Sequence, residues 1–435
     1  MTSLRRSLGL IYALALSSAL LPRSAHAEKT LLKTDDWEVY TDGRVGAFIS
    51  YMHGDGLPQP AVDANGNQTH DLSGGGLDAI ANRQPTGVGS QLTQGVIDRW
   101  RVHTGFIGNT LGLGVRGKLD SLNTVTGYTQ MWSYIESQQQ RKGSPNPPDV
   151  RQAYVKIEGP WGSVLGGRSR TLFSRGATDI DVMYAHRYGV GYPGTGVDTN
   201  GPTSGQIGFG VLGSGFAAGF VYATPSLAGL QLSVGVFDPI VLQGFWDRSK
   251  WPRPETELTF EQPLGNIGKI VLFSNGAYQK LYKRDSPAST HAIGVGYGGR
   301  LEVGPVHLGV AGHYGSGLGL NYALEPSDAT LDPSGVLRTF DGYYVQSQVV
   351  LGQFDVSAGW GITRVFLLPT DSIVDANGNI PHSVVKSQMG TNAGVVYHLK
   401  PWMHLDLDYF KADFAWFLGE KQTVHTFSGG VTFTW

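Results

Sequence analysis

The 435-residue chain has no Cys, 62 Gly and 19 Tyr, and only 16% of its residues are charged, against roughly 25% in an ordinary soluble domain. The lack of Cys removes disulfide scaffolds and thiolate-held metal centres. A balance of 33 Lys+Arg against 35 Asp+Glu without a basic block argues against nucleic-acid partners, and 11% aromatics with little net charge argues against disorder. Two or three soluble domains or one large β-barrel remain at this length.

In chain order, Arg5 and Arg6 precede an apolar run from Leu8 to Leu21, and Ala25-His26-Ala27 supplies the small residues of a cleavage site. This pattern predicts a secretory signal peptide over 1–27, with a mature chain over 28–435. Removing Arg5, Arg6 and Arg23 takes the net charge from -2 to about -5. Beyond the leader no apolar run is long enough for a membrane helix, so an exported chain of this kind is either soluble or a membrane barrel.

The mature chain repeats alternation over about ten residues. Ala153, Val155 and Ile157 alternate with Tyr154, Lys156 and Glu158; Phe354, Val356, Ala358 and Trp360 with Asp355, Ser357 and Gly359; Leu405, Leu407 and Tyr409 with His404, Asp406 and Asp408. At the end of the chain Phe427, Gly429, Val431, Phe433 and Trp435 share one face, and Thr426, Ser428, Thr432 and Thr434 the other. Successive strand residues point to opposite faces. A secreted β-sandwich would bury the apolar face in a core; a membrane barrel turns it to lipid.

Three features favour the barrel. Short turn signals at 120–123, 159–162, 225–229, 264–268, 304–305, 352–353 and 400–402 alternate with long polar stretches at 53–100, 138–150, 170–212, 238–254, 279–290, 316–339, 366–386 and 412–423. Seven hairpins plus one strand at each end give about sixteen strands, the first near 39–51 and the last near 425–435. Charges recur on the alternate positions (Asp42 and Arg44, Arg116 and Lys118, Asp406 and Asp408), where a sandwich core would pay several kcal/mol for each and a wet lumen would not. Tyr51, Trp132, Tyr134, Trp161, Trp360, Trp402, Trp416 and Trp435 fall near strand ends, as interfacial girdles do.

The stretch Arg151-Gln152-Ala153-Tyr154-Val155-Lys156-Ile157, turning through Gly159-Pro160-Trp161-Gly162 and returning to Gly166-Gly167-Arg168, resembles a hairpin of Gram-negative general diffusion porins. Gly114-Val115-Arg116-Gly117-Lys118, Phe220-Val221-Tyr222-Ala223-Thr224-Pro225 and the terminal strand resemble other parts of that family, so the likeness spans the mature chain. Two departures are the final Trp435, where the family usually has Phe, and a long first loop.

The resemblance implies an all-β fold: a transmembrane antiparallel barrel with short periplasmic turns, long extracellular loops and a third loop folded into the lumen. It also implies a homotrimer in the outer-membrane lipid of a Gram-negative bacterium, passing small hydrophilic solutes and ions without enzymatic chemistry. The third loop is expected over Thr171–Leu212. Constriction candidates are Asp179 and Asp181 on the loop, and Arg44, Arg116, Arg151 and Arg168 on the wall. Arg44 and Arg116 have lumen parity; Arg151 and Arg168 rest on the resemblance. Net negative charge favours cations in the vestibule, whereas the arginines favour anions at the narrowest point. A substrate-specific channel is the alternative: an aromatic ladder would favour sugars, convergent cations phosphate.

No cofactor or metal site is expected. Asp63-Ala64-Asn65-Gly66-Asn67 and Asp375-Ala376-Asn377-Gly378-Asn379 lack the Gly and Glu that a calcium loop needs further on, and read as Asn-Gly turns. His307 and His313 share parity, but too far apart along one strand to hold a metal.

Overall fold

The computed structural model describes residues 28–58, 71–73, 96–105, 107–133, 135, 149–183, 205–240, 246–247, 249–283, 287–324, 336–368 and 382–435. The leader, both Asn-Gly pentads and Tyr134 lie outside these residues. In chain order the elements are β1 (Lys29–Lys33), β2 (Trp37–Asp55), β3 (Asp71–Ser73), β4 (Val96–His103), β5 (Asn109–Lys118), β6 (Thr124–Ser133), β7 (Asp149–Gly159) and β8 (Gly162–Arg170). A short helix α1 (Arg175–Ile180) follows. Then come β9 (Phe216–Ala223), β10 (Leu230–Phe237), β11 (Trp246–Asp247), β12 (Arg253–Pro263), β13 (Gly268–Lys283), β14 (Ser289–Val303) and β15 (Val306–Ser316). The last five are β16 (Thr339–Leu351), β17 (Phe354–Val365), β18 (His382–Lys400), β19 (Met403–Trp416) and β20 (Lys421–Thr434).

Apart from β3, which lies parallel beside β18, and β11, which pairs with β13, successive wall strands pair antiparallel, and β20 pairs back onto β2, closing a barrel of 16 strands. Two segments share one position: β4 lies along the upper half of β2 and β5 along its lower half. In the gap between them the carboxamide of Asn109 accepts from Gly46 N at 2.7 Å, replacing a missing ladder bond. At the seam, β1 continues the lane of β20 against the start of β2. Trp435 exchanges backbone bonds with Gly43 at 2.9 and 3.1 Å.

Trp435 is also held from outside. A Cβ on Gly43 would lie 2.1 Å from its ring, so only glycine lets the indole cover the seam, with Phe433 beside it at 5.8 Å between ring centroids. Trp435→Ala removes that cover and leaves the ladder. The urea midpoint for unfolding in detergent is expected to fall by the equivalent of about 1 kcal/mol; an unchanged midpoint contradicts this account of the seam.

All seven short turns lie at one end of the barrel. Those joining β14 to β15 and β16 to β17 have two residues each, and place Gly304 and Gly352 at φ 54° and 60°, the left-handed region where glycine is least strained. In the turn after β5, Asp120 accepts from the backbone of Leu122 and Asn123 at 2.7 and 2.8 Å. The Asn123 side chain, first among the causes, and these amides hold the Asp120 carboxyl below its ordinary range.

The outer wall is apolar. Val45, Ile49, Leu113, Val155, Val295, Val310, Val356, Leu407 and Phe427 are exposed on the side of the sheet that faces away from the lumen. Trp37, Trp100, Trp161 and Trp402 are exposed near strand ends, as a girdle requires. Trp132 and Trp416, expected in that girdle, are instead buried on the inner side.

Two expected long loops are also shorter than 279–290 and 412–423 suggest, because β13, β14, β19 and β20 run on past the lipid belt. There the pattern inverts. Phe410, Phe414, Trp416 and Leu281 point inward and are buried, while Lys411, Asp413 and Lys280 take the outer face. Beyond the membrane the barrel has a soluble protein's polarity, which in the sequence reads as loop.

The inward apolar residues are not left in water. Phe173, Phe209 and Leu212 of the third loop, and Leu318, Leu320 and Leu324 after β15, join Phe340, Val365, Val384, Phe410 and Phe414 of the wall in one buried cluster. Ala177, Ile180 and Val211 form a second with Phe273, Ala311 and Tyr344. A core therefore lies inside the wall near the long-loop end, from β13 round through β19 and β20 to Met52 of β2 and Ile97 of β4. Burial of this much apolar surface fixes loops that would otherwise be free.

Candidate functional site

The third loop is fastened to one half of the wall by side chains of lumen parity. Glu255 on β12 accepts from Phe173 N at 2.8 Å and pairs with Arg253 at 2.8 Å. Glu257 accepts from Gly176 N at 3.1 Å and from Arg175 Nε at 2.9 Å. From β16, Tyr344 donates to Ala177 O at 3.0 Å, and Gln346 binds Val182 N at 3.0 Å and Asp181 at 2.7 Å. On the returning strand of the loop, Gly210 N donates to Thr363 at 3.0 Å, and Gly208 O accepts from Gln388 at 2.8 Å. None of these bonds reaches β2, β5, β6 or β7.

The two loop acids separate. Asp179 has half its side-chain surface exposed and forms a 2.7 Å ion pair with Arg170, at the end of β8. Arg300 of β14 donates to its carbonyl at 3.4 Å and pairs with Glu302 at 2.9 Å. Asp181 is 2% exposed and accepts from Met183 N and Gln206 N, both at 2.8 Å, besides Gln346. Asp181 thus clasps the loop to itself and to the wall, and its carboxylate is not offered to the channel.

The wall arginines separate too. Arg44 is buried on β2 with its charge acting on Asp406 of β19. Arg116 lies near the short-turn end, 3.1 Å from Glu28 and 3.5 Å from Glu38, with its guanidinium 4.6 Å from the Tyr40 ring centre. Arg151 pairs with Asp149 at 2.8 Å and stacks 4.7 Å over Trp132. Its ambiguous parity has a cause: the β6–β7 register slips at Gln130/Met131, so Arg151 is the extra residue of a bulge that turns it toward the inward Trp132. Arg168 sits opposite Ala153 and Ala218, in step with the exposed Val164, and makes no ion pair among the described residues. The structure therefore brings Asp179 together with Arg170 and Arg300, not with the four arginines singled out by the sequence.

Arg170 stands two residues beyond a candidate, at the point where strand becomes loop and alternation stops being a guide. Glu255 and Glu257 were more legible: Glu255-Thr256-Glu257-Leu258 places two acids on the lumen face of one strand. Nothing local marks them as the loop's anchors. His313 is buried and donates to Gly210 O at 3.2 Å, while His307 contacts Gln348 at 3.0 Å, so the two serve separate structural contacts.

The wall of β2, β5, β6 and β7 keeps a polar, aromatic inner surface. Tyr128 donates to both Asp42 carboxylate oxygens at 2.9 Å. Gln130 donates to Tyr128 at 3.2 Å and accepts from Trp132 at 3.0 Å and from Gln152 at 3.2 Å. Lys156 and Glu158 pair below them.

A closed antiparallel barrel with an apolar outside and polar side chains on the inner face of its strands defines a membrane channel. The profile of the Gram-negative porin family matches residues 13–435, and the chain belongs to that family. Its place is therefore the bacterial outer membrane. No curated protein matches the chain. Among solved structures it is similar to the outer membrane channel DcaP of Acinetobacter baumannii, at 14% identity and TM-score 0.62 over 94% of this chain and 100% of that one. An anion-selective porin from Comamonas acidovorans aligns at 13% identity and TM-score 0.58, over 92% and 100%. OmpF of Salmonella typhi in complex with daunomycin aligns at 10% and 0.53, over 94% and 100%. At these identities the likeness concerns the fold.

Proposed function

We propose that the protein is a passive channel for small hydrophilic solutes and ions, filtered by charge where the third loop faces the open half of the lumen. It carries out no chemistry and needs no cofactor. The short turns lie in the periplasm and the long loops outside the cell, residues 1–27 direct export, and three copies assemble in the membrane. The observation that carries the reading is the loop's attachment: its apolar side is packed on β13–β18, and Asp179, Arg170 and Arg300 are the charges it leaves near the water path. A field between such groups acts strongly because the surrounding wall has a low dielectric.

In planar bilayers the purified protein is expected to form ohmic pores. Asp179→Asn leaves Arg170 without its carboxylate, so the anion-to-cation permeability ratio should rise about twofold or more. Reversal potentials across a salt gradient measure this. A ratio that stays put under Asp179→Asn, or falls, overturns the placing of the filter.

A further inference from the structure

The bonds that fasten the third loop run to β12, β16, β17 and β18, on the arc of the closed sheet opposite the wall of β2, β5, β6 and β7. That wall carries a row of aromatic rings. Tyr40 and Tyr128 lie 6.4 Å apart at 17°, and Tyr128 and Tyr154 5.4 Å apart at 39°. Toward the loop end the row continues with Trp132, in contact with Phe216 at 5.9 Å. Tyr40 and Tyr128 can lie down because β5 places glycines beneath them. A Cβ on Gly114 would come within 2.1 Å of the Tyr40 ring, and one on Gly112 within 2.4 Å of the Tyr128 hydroxyl. Tyr40 is covered by Arg116, but Tyr128 and Tyr154 keep part of their surface open.

Polar groups run beside the rings in a fixed chain, Gln152 to Gln130 to Tyr128 to Asp42. Rings that offer an apolar face, next to carboxamides and a carboxylate that accept and donate hydrogen bonds, match a molecule with one C–H face and a rim of hydroxyls. The two arginines nearest the rings are already matched. Arg116 is matched by Glu28 and Glu38, and Arg151 by Asp149. An anion here also meets the carboxylate of Asp42.

We propose that this wall is a binding track for neutral saccharides, with Tyr154 and Tyr128 as stacking platforms and Asp42, Gln130 and Gln152 as hydroxyl partners. The proposal rests on the channel reading and adds a solute class to it. Sugar passage then saturates, because a bound ring occupies the track until it leaves.

The test is ion current through single pores in planar bilayers, titrated with glucose, sucrose and raffinose. The protein is expected to show saturable current block. Tyr154→Ala should weaken half-block about tenfold, and Tyr154→Phe should keep it, since the Tyr154 hydroxyl has no hydrogen-bond partner among the described residues. Both variants should retain heat-modifiable mobility, which shows a folded barrel. Block that is absent, or equal in all three proteins, overturns the track while normal ion currents leave the channel reading standing. Block by inorganic phosphate in place of the sugars overturns the neutral-solute assignment. Failure of the natural chain to conduct ions at all sinks both readings.

Discussion

Glu257→Ala is expected to give a wider and noisier pore. The side chain is buried on β12, where it holds Gly176 N and the guanidinium of Arg175 together. Removing it strands a basic group against a low-dielectric wall and frees the first turn of α1. Only the Glu257 side of the pair is buried and Arg175 is 29% exposed, so the loss costs less than the roughly 3–5 kcal/mol of a fully buried pair, and it falls on the docking of one loop. The barrel ladder, whose bonds do not involve this carboxylate, should survive. Heat-modifiable mobility should therefore persist while single-channel conductance rises and flickers between levels. Glu257→Gln, which keeps an acceptor for Gly176 N but loses the charge, should fall between the two. A quiet channel of unchanged conductance from Glu257→Ala would show that the loop is held without this clasp.

Leu407→Arg is the second large effect. Leu407 is 66% exposed on the outer face of β19, next to Leu405 and across the ladder from Gly429. In lipid a guanidinium at such a place lacks water, and near the midplane of a barrel it costs about 2–4 kcal/mol. A urea titration in phospholipid vesicles should show the folded fraction lost at clearly lower denaturant. Asp408, the adjacent residue, points into the lumen; Asp408→Asn should leave lipid insertion unaffected. Equal tolerance of Leu407→Arg and Asp408→Asn would invalidate the division between a lipid side and a water side.

The alternation at Leu405–Tyr409 and Phe354–Trp360, the two-residue turns at Gly304 and Gly352, and the charges at Asp42 and Asp406 were legible because each depends on a period of two and on what its immediate surroundings can solvate. They dictate strand, turn and facing direction from a few neighbouring residues. Phe414 and Trp416 misled for the same reason: they obey the period but reverse its polarity, since beyond the bilayer the inside is the drier side. Parity gave no side for Arg151, because one bulge turns that residue round.

The sequence by itself determined a closed sheet with an apolar exterior, its hairpins and the sides of most strand residues, because those are local consequences of backbone pleat and solvent. Only the tertiary structure decided which charges meet beside the third loop. Asp179 is nine positions from Arg170 and 121 from Arg300, and Asp181 is 165 from Gln346. Such encounters follow from how the third loop packs its Phe173, Ile180 and Phe209 into the far wall. That packing is a long-range matter of shape and buried area, and no window of neighbouring residues contains it.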